Sequence, residues 1–453
     1  MNQELLGLLD QIYVLLEQRR LDELKELLAS LQPADLAELL EELEDKDRAS
    51  VVHLLSDEAA AETISELDTE DQVSILTSVG TERAGDILEE MSADDVADLV
   101  GELTPQQAGV LLDLLDSEDA TDVRELLGYR PDSAGGIMTT EVVALKQDTT
   151  AQEAIDELRR LAPEVETAYY VYVVNDRDQL VGVLSLRELI IASPETPIKQ
   201  IMRTKLITVH ADEDQEQVAQ EVKRYNIMAV PVVDDNQVLL GIVTVDDVID
   251  VLEEEATEDI YRAAGVSHDE QDADPGGAIW RSVKSRLPWL MGLLFLSLVT
   301  GKVIEHFNWL LTSVAALQVF ITTMAGGAGN AATQALTVAV RGLATGEIER
   351  EQIWQIVWRE LKIGGTIGII CGVTLGLTAG LWHHSFWIGL IVALAILVNL
   401  TLAKATGTIV PVMLQSFGMD PAVASGPFIA TVADTSSMLV YLGIAATLFR
   451  YLV

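Results

Sequence analysis

From residue 288 onward the chain runs through five apolar stretches, at roughly 288–307, 311–342, 353–381, 385–417 and 422–450. Each is long enough to cross a hydrocarbon layer of about 30 Å as a helix. With no water inside a bilayer, backbone polar groups must be satisfied within each segment, so this half is expected to be a helical membrane domain of five spans. Arg281, Lys284 and Arg286 precede the first span, and Arg341, Arg350, Arg359 and Lys362 cluster between the second and third. Lys and Arg collect on the cytoplasmic side. That places both regions inside and the C-terminus outside.

Charge divides the chain at the same boundary. Residues 276–453 carry ten Lys/Arg against seven acids, a balance of +3; the whole chain is −43, so residues 1–275 carry 19 Lys/Arg and 65 Asp/Glu, or −46. A surface that acidic repels nucleic acid and anionic lipid and calls for cations as its partner. The lone cysteine, Cys371, excludes a disulfide within the chain or a thiolate metal cluster. The opening MNQELLGLLDQIYVLLEQRR reads as an acidic amphipathic helix without a basic leader region, so the N-terminal half is expected to stay in the cytoplasm.

A twelve-residue period runs through Leu31, Leu43, Leu55, Leu67, Val79, Met91, Leu103, Leu115 and Leu127. A second column, Leu40, Val52, Ile64, Leu76, Leu88, Val100 and Leu112, keeps the same spacing. With cap or turn residues near each start (Pro33, Asp45, Ser56, Asp68, Thr81, Ser92, Thr104), this predicts short single helices stacked into a superhelix over 1–130. Asp94 and Asp98 stand four apart, hence on one helical face, and Glu62 occupies the column of Asp98 three repeats earlier. Like charges so placed are unfavourable, and a hard divalent cation would relieve them. A solvated helix face is the plainer reading of the same residues.

After the turn-rich GYRPDSAGG the pattern is duplicated. IMTTEVVALKQDTTAQEAIDELRRL is matched by IMRTKLITVHADEDQEQVAQEVKRY, and YVYVVNDRDQLVGVLSLREL by MAVPVVDDNQVLLGIVTVDDV. Each copy reads as strand, helix, β-branched strand, acidic turn, strand and closing helix. This resembles a tandem pair of CBS domains, at 137–200 and 201–252. The resemblance implies an adenine nucleotide such as ATP in the cleft, its ribose held by a T-x-x-D segment, here Thr244 and Asp247; the first copy has Ser185 and Glu188 instead. A strand-end cap is the structural alternative for Thr244.

DDVIDVLEEEATEDIYRAAG then continues as a long acidic helix, and with its loop occupies 245–275. It is placed to carry a signal, or to act as a spacer, between regulatory and membrane parts. In the membrane domain, 284–453, the second span contains TTMAGGAGNAATQALT, the fourth NLTLAKATGTIVP, and the fifth one acid, Asp434, with Thr431, Thr435 and Ser436 beside it. An acid at such depth costs about 2.5–3.5 kcal/mol, so it ordinarily faces a cavity, an ion or a partner; the plainer alternatives are that Asp434 lies near a span end and snorkels, or that it pairs with Lys404. One carboxylate with several neutral oxygens suits a largely hydrated Mg²⁺.

The order of acidic helical domain, CBS pair, acidic linking helix and five-span domain is similar to the MgtE family of magnesium channels. GGAGNAATQ, RGLATGEIE, MDPAVASGPF and ATVAD resemble its membrane motifs, and TVDDVIDVLEEEATEDI its connecting, or plug, helix. The resemblance implies a multidomain membrane protein with an all-α superhelical N-domain, an α+β CBS pair, a plug helix and a five-helix all-α transmembrane domain. It implies a homodimer whose pore, on the two-fold axis, is lined by the second and fifth spans, with Asp434, Gly329, Asn330 and Thr431 along the ion path. It also implies cytosolic Mg²⁺ sites at Asp94, Asp98, Asp247, Asp250, the Glu255, Glu258 and Asp259 group, and Glu62, which hold the channel shut when internal Mg²⁺ is high. Departures from the family pattern are Asn226 where an acid is expected, Ala332 and Ala335 for Gly and Ser, and Ser436 and Ser437 after Asp434.

The expected function is therefore Mg²⁺ import across the plasma (inner) membrane, driven by the membrane potential and closed by feedback. The chain is expected not to be an enzyme, and its partners are lipid, Mg²⁺, a second copy and an adenine nucleotide, with no nucleic acid. Two alternatives stand beside this. One is transport of Co²⁺, Mn²⁺ or Zn²⁺ on the same architecture, for which only His383 and His384 offer soft ligands. The other is a non-transporting membrane sensor of cations or nucleotides.

Overall fold

The computed structural model describes residues 3–117, 119–161, 169–266, 278–344, 348, 353–417 and 419–452. The chain forms two compact units, Met1–Leu252 and Glu253–Val453. The loop at 267–277 and residues 345–347 and 349 of RGLATGEIE lie outside the described residues.

The first unit opens with helices α1 (Gln3–Glu17), α2 (Leu21–Leu28), α3 (Pro33–Glu41), α4 (Asp45–Val52), α5 (Asp57–Ser65), α6 (Thr69–Ser78), α7 (Thr81–Leu88), α8 (Ala93–Gly101), α9 (Pro105–Leu112) and α10 (Asp119–Leu126). From α2 to α9 every helix begins twelve residues after the one before. Helix α3 packs on α5, α4 on α6, α5 on α7 and α6 on α8, the alternation of a superhelical stack. The apolar columns are its core: Val52, Ile64, Leu76, Leu88 and Val100 are buried, whereas Leu127, at the end of the first column, is exposed. Caps vary more than the period. Ser56 accepts from the Ala59 N–H and Thr104 forms a reciprocal box with Gln107, but Pro33, Asp45 and Thr81 are first helical residues, not caps. Gly80 enters α7 at φ 89°, a conformation that disfavours any side chain.

Two three-stranded sheets follow with the same topology. Strand β1 (Ala144–Lys146) runs parallel to β2 (Tyr170–Val174), which pairs antiparallel with β3 (Leu180–Ser185); β4 (Val209–His210), β5 (Ala229–Val233) and β6 (Leu239–Thr244) repeat the arrangement. Even the register irregularity recurs, between Val173 and Val174 and between Val232 and Val233. Helices α11 (Ala151–Leu161) and α13 (Gln215–Tyr225) follow the first strands, α12 (Leu186–Ile191) closes the first copy, and α14 (Val245–Ala264) closes the second and runs on through the boundary between the units. Bridges Thr139 to Ile242 and Gln179 to Val238 join the copies.

The second unit holds α15 (Ala278–His306), α16 (Asn308–Ser313), α17 (Ile321–Ala344), α18 (Ile353–Trp382), α19 (Phe386–Ser416) and α20 (Gly426–Thr447). Four of these, α15, α18, α19 and α20, are long and apolar enough to cross a membrane. The expected second span, at 311–342, is broken: α16 and a 3-10 turn over Ala315–Phe320 precede α17. Helix α17 has 24 residues, enough for about 36 Å. Its glycines, Asn330, Thr333 and Gln334 lower its hydropathy, and it is packed against α19 and α20. Its small residues, Ala328, Ala332 and Ala335 among them, are buried in the bundle, whereas Asn330 and Gln334 lie on its exposed face. Helix α18 carries Gly364, Gly368, Gly372 and Gly376 at every fourth position, where added Cβ atoms would come 2.7–3.0 Å from atoms of α19. The two helices therefore pack backbone against backbone.

Candidate cation sites

Asp434 sits on α20 opposite Gly329 of α17. A Cβ at Gly329 would lie 3.2 Å from Asp434 Oδ1, so hydrogen at this position gives the carboxylate its place against the helix. Asp434 Oδ1 is buried without a hydrogen-bond partner. Such an orphaned acceptor suits an ion or its bound water. Lys404 is not the partner: its Nζ donates to Gln334 Oε1 at 3.3 Å and lies 4.0 Å from Glu360 Oε2. Asn330 is exposed in the single chain, next to Gly329.

The hydroxyls near Asp434 are engaged with backbone or with each other. Thr431 Oγ1 donates to Pro427 O at 2.8 Å, Ser436 to Ala433 O and Ser437 to Asp434 O, while Thr435 Oγ1 bonds Thr300 Oγ1 at 2.6 Å. The two serines thus fold back on their own helix. Ala332 and Ala335 are buried toward α19, where a Cβ on Gly407 would lie 2.2 Å from Ala332 O. Their small size serves that close approach.

A second acidic site lies in the first unit. Asp94, in the first turn of α8, is buried, and its Oδ1 lacks a partner. Burial, then the neighbouring Asp95, pushes its carboxyl up to about 6. Glu141 accepts from the Ala93 N–H, and burial followed by the field of Asp94 pushes it up to about 7. Burial pushes Asp247 up to about 7 as well, Thr244 opposes this, and Asp94 adds to it. Asp94 of α8 therefore raises both of the others, Glu141 in the segment before β1 and Asp247 at the start of α14.

Sequence reading found Asp94 and Asp247 but missed Glu141. Its signal was an asymmetry between the copies: Glu141 stands where the second copy has Lys205. Asp98, Glu62 and Asp250 are exposed and are not among the strongest charges on these acids. Asn226 caps α13 in the left-handed region, φ 51°, which asparagine tolerates. Among the described residues no three His, Cys, Asp or Glu side chains are gathered tightly enough to hold an ion by protein ligands alone.

A third group lies on the later turns of α14, within the second unit. Glu255, Glu258 and Asp259 are half-buried. Arg262, absent from the sequence reading, pairs with both Glu258 and Asp420. Asp259 is pushed up to about 6 by burial and then by Asp420, against the pull of Arg262. This acidic group already contains one fixed cation.

The T-x-x-D segment has a structural duty. Thr244 Oγ1 donates to Asp247 Oδ2 at 2.5 Å and the Thr244 N–H donates to the same oxygen at 3.3 Å, capping α14. Ser185 and Glu188 form the matching box at α12, but Glu188 is more exposed and pairs with Arg203 at 2.7 Å.

The family model described as a divalent cation transporter, MgtE, matches residues 321–444; that of the MgtE intracellular N domain matches 31–132; and the CBS domain model matches 134–195 and 198–254. The magnesium transporter MgtE of Enterococcus faecalis is 41% identical over 332 residues, covering 73% of this chain and 72% of that protein. That of Bacillus subtilis is 40% identical over 331 residues, with the same coverage. A crystal structure of the cytosolic domain of the Mg²⁺ channel MgtE in complex with ATP is 41% identical, has a TM-score of 0.52, and covers 54% of this chain and 99% of that one.

Proposed function

Because the chain belongs to the MgtE family of magnesium transporters, we propose that it is a homodimeric Mg²⁺-selective channel of the plasma membrane, not an enzyme, closed by Mg²⁺ at its cytosolic acids. The observation that carries this reading is the buried, unpartnered oxygen of Asp434 facing Gly329. Two copies about a two-fold axis present two such carboxylates, with the Asn330 amide and Thr431 hydroxyl along α17 and α20. Mg²⁺ dehydrates reluctantly, so a widely spaced ring of oxygens that holds it through its water shell is the appropriate donor set. In this reading the N-terminal domains and CBS pair face the cytoplasm and the C-terminus lies outside, which the Lys/Arg distribution supports.

Closure rests on Asp94 and the two acids that it raises. Asp94, Glu141 and Asp247 repel when ionised, and Asp94 Oδ1 is an orphaned acceptor that fits a hydrated divalent ion. Asp98, Asp250 and Glu62, which are exposed, are further candidates to bind the ion, and Glu258 of the plug helix, with Glu255 and Asp259 beside it, pairs with Arg262. At low internal Mg²⁺ the unneutralised acids separate and α14 moves. The ATP named in the related structure supports an adenine nucleotide at this CBS pair, with Thr244 and Asp247 as ribose contacts.

The test is Mg²⁺ uptake into liposomes by the intact protein. Asp434→Ala is expected to abolish flux, and raising Mg²⁺ on the cytoplasmic face to suppress it. Flux that ignores both changes overturns the proposal, and flux carried by Co²⁺, Mn²⁺ or Zn²⁺ in preference to Mg²⁺ overturns the selectivity.

A further inference from the structure

Two ionisable side chains lie deep in the helical bundle and have no part in the sites above. Glu360 of α18 is 5% exposed and Lys404 of α19 is 7% exposed. Lys404 Nζ lies 4.0 Å from Glu360 Oε2 and donates to Gln334 Oε1 of α17 at 3.3 Å, so three helices meet on one ammonium group. Arg359 approaches the other oxygen of Glu360 at 3.8 Å.

The helix backbones on either side of Lys404 are closely packed. A Cβ on Gly364 would come 3.0 Å from Leu400 O and 3.1 Å from Lys404 Cβ, and one on Gly407 would come 2.2 Å from Ala332 O. Gln334 lies four residues after Asn330, on the same exposed face of α17, the helix whose Gly329 meets Asp434. The ammonium is therefore fixed beside the helix that carries the ion path. A lone positive charge at this depth is costly to bury and repels an approaching cation. Glu360 offsets both effects.

We propose, on the reading that the chain conducts Mg²⁺, that Lys404 is a positioning residue that holds Gln334 in the polar stripe of α17, and that Glu360 is the counter-charge that allows a divalent cation to pass it. Neither residue touches the ion. Glu360 acts on the field along the path, and Lys404 acts through Gln334.

The experiment compares Mg²⁺ flux in liposomes for the intact wild type, Glu360→Gln, Lys404→Gln and the double variant. Wild-type flux is the control for the underlying reading; if it is absent, that reading fails, whatever the variants do. Glu360→Gln is expected to raise the half-saturating Mg²⁺ concentration about tenfold, because the ammonium is then unbalanced. The double variant is expected to return it to within about twofold of wild type, while its maximal flux stays low because Gln334 has lost its donor.

A half-saturation unchanged in Glu360→Gln overturns the proposal. So does a double variant as shifted as the single one, since a merely structural pair would lower yield or maximal flux without this reversal. Where Glu360→Gln does not fold, the exchange Glu360→Lys with Lys404→Glu decides. It is expected to fold and to half-saturate at or below the wild-type concentration; a misfolded exchange variant, or one shifted upward, overturns the assignment.

Discussion

Replacing the buried Asp94 by Asn removes one charge from the group it forms with the half-buried Glu141 and Asp247, while keeping the shape of the side chain. Burial and Asp95 raise Asp94 from 3.8 to about 6. Holding it ionised above that range therefore costs up to about 3 kcal/mol, at 1.36 kcal/mol per unit. Because the folded state binds these protons more tightly than the unfolded chain, the carboxyls of Asp94, Glu141 and Asp247 cost no stability below about pH 4 and an increasing amount as pH rises to about 7. Above that the cost is constant, and a bound divalent cation offsets it.

In chelator at about pH 8 the Asp94→Asn protein is thus expected to be more stable than wild type by about 1–3 kcal/mol. In a unit the size of Met1–Leu252 that raises the melting temperature by about 3–10 °C. Addition of Mg²⁺ should stabilise wild type by about 2.7 kcal/mol at a hundred times its dissociation constant, and the variant much less. Thermal melts of the intact protein in detergent, with chelator or MgCl2 and across pH, provide the assay. A variant that melts at or below wild type in chelator, or that keeps the full Mg²⁺ increment, would refute the reasoning.

Gly407→Val drives side-chain atoms into Ala332 O, so the membrane unit should lose about 1–3 kcal/mol or more, whereas Gly365→Ala, with 3.9 Å to its nearest neighbour, should be close to neutral; melting curves in detergent compare the two. Arg262→Gln removes the cation shared by Glu258 and Asp420, so Mg²⁺ should protect α14 from proteolysis more strongly than in wild type, and equal protection in both proteins would count against a role for this group.

The twelve-residue helix period was legible because one short helix and its turn fill each repeat, so apolar positions recur in phase with the fold. The duplicated modules were legible from paired motifs, down to the succession of strands and helices along the chain. Spacing on one helix did not distinguish Asp94 from Asp98: four residues place them on one face, and α8 buries the first and leaves the second exposed. Glu141 and Arg262 could not be found by local pattern, since their partners Asp94 and Asp420 are distant in sequence and only packing brings them near. The break before α17 was hidden because Leu311, Leu317 and Phe320 are as apolar as a span, yet they are buried around a turn that Tyr441 closes by donating to Leu317 O at 2.8 Å.

The glycines of α18 have a mechanical consequence. Because Gly364, Gly368, Gly372 and Gly376 seat one backbone directly on α19, sliding either helix along the other would drive carbonyl oxygens into α-carbons within a fraction of an ångström. The hairpin is therefore a stiff strut of two rods. The contact of α15 with α20 is slighter, and there a pair of hydroxyls, Thr300 and Thr435, joins the helices. Any widening of the route past Asp434 has the strut as its fixed abutment.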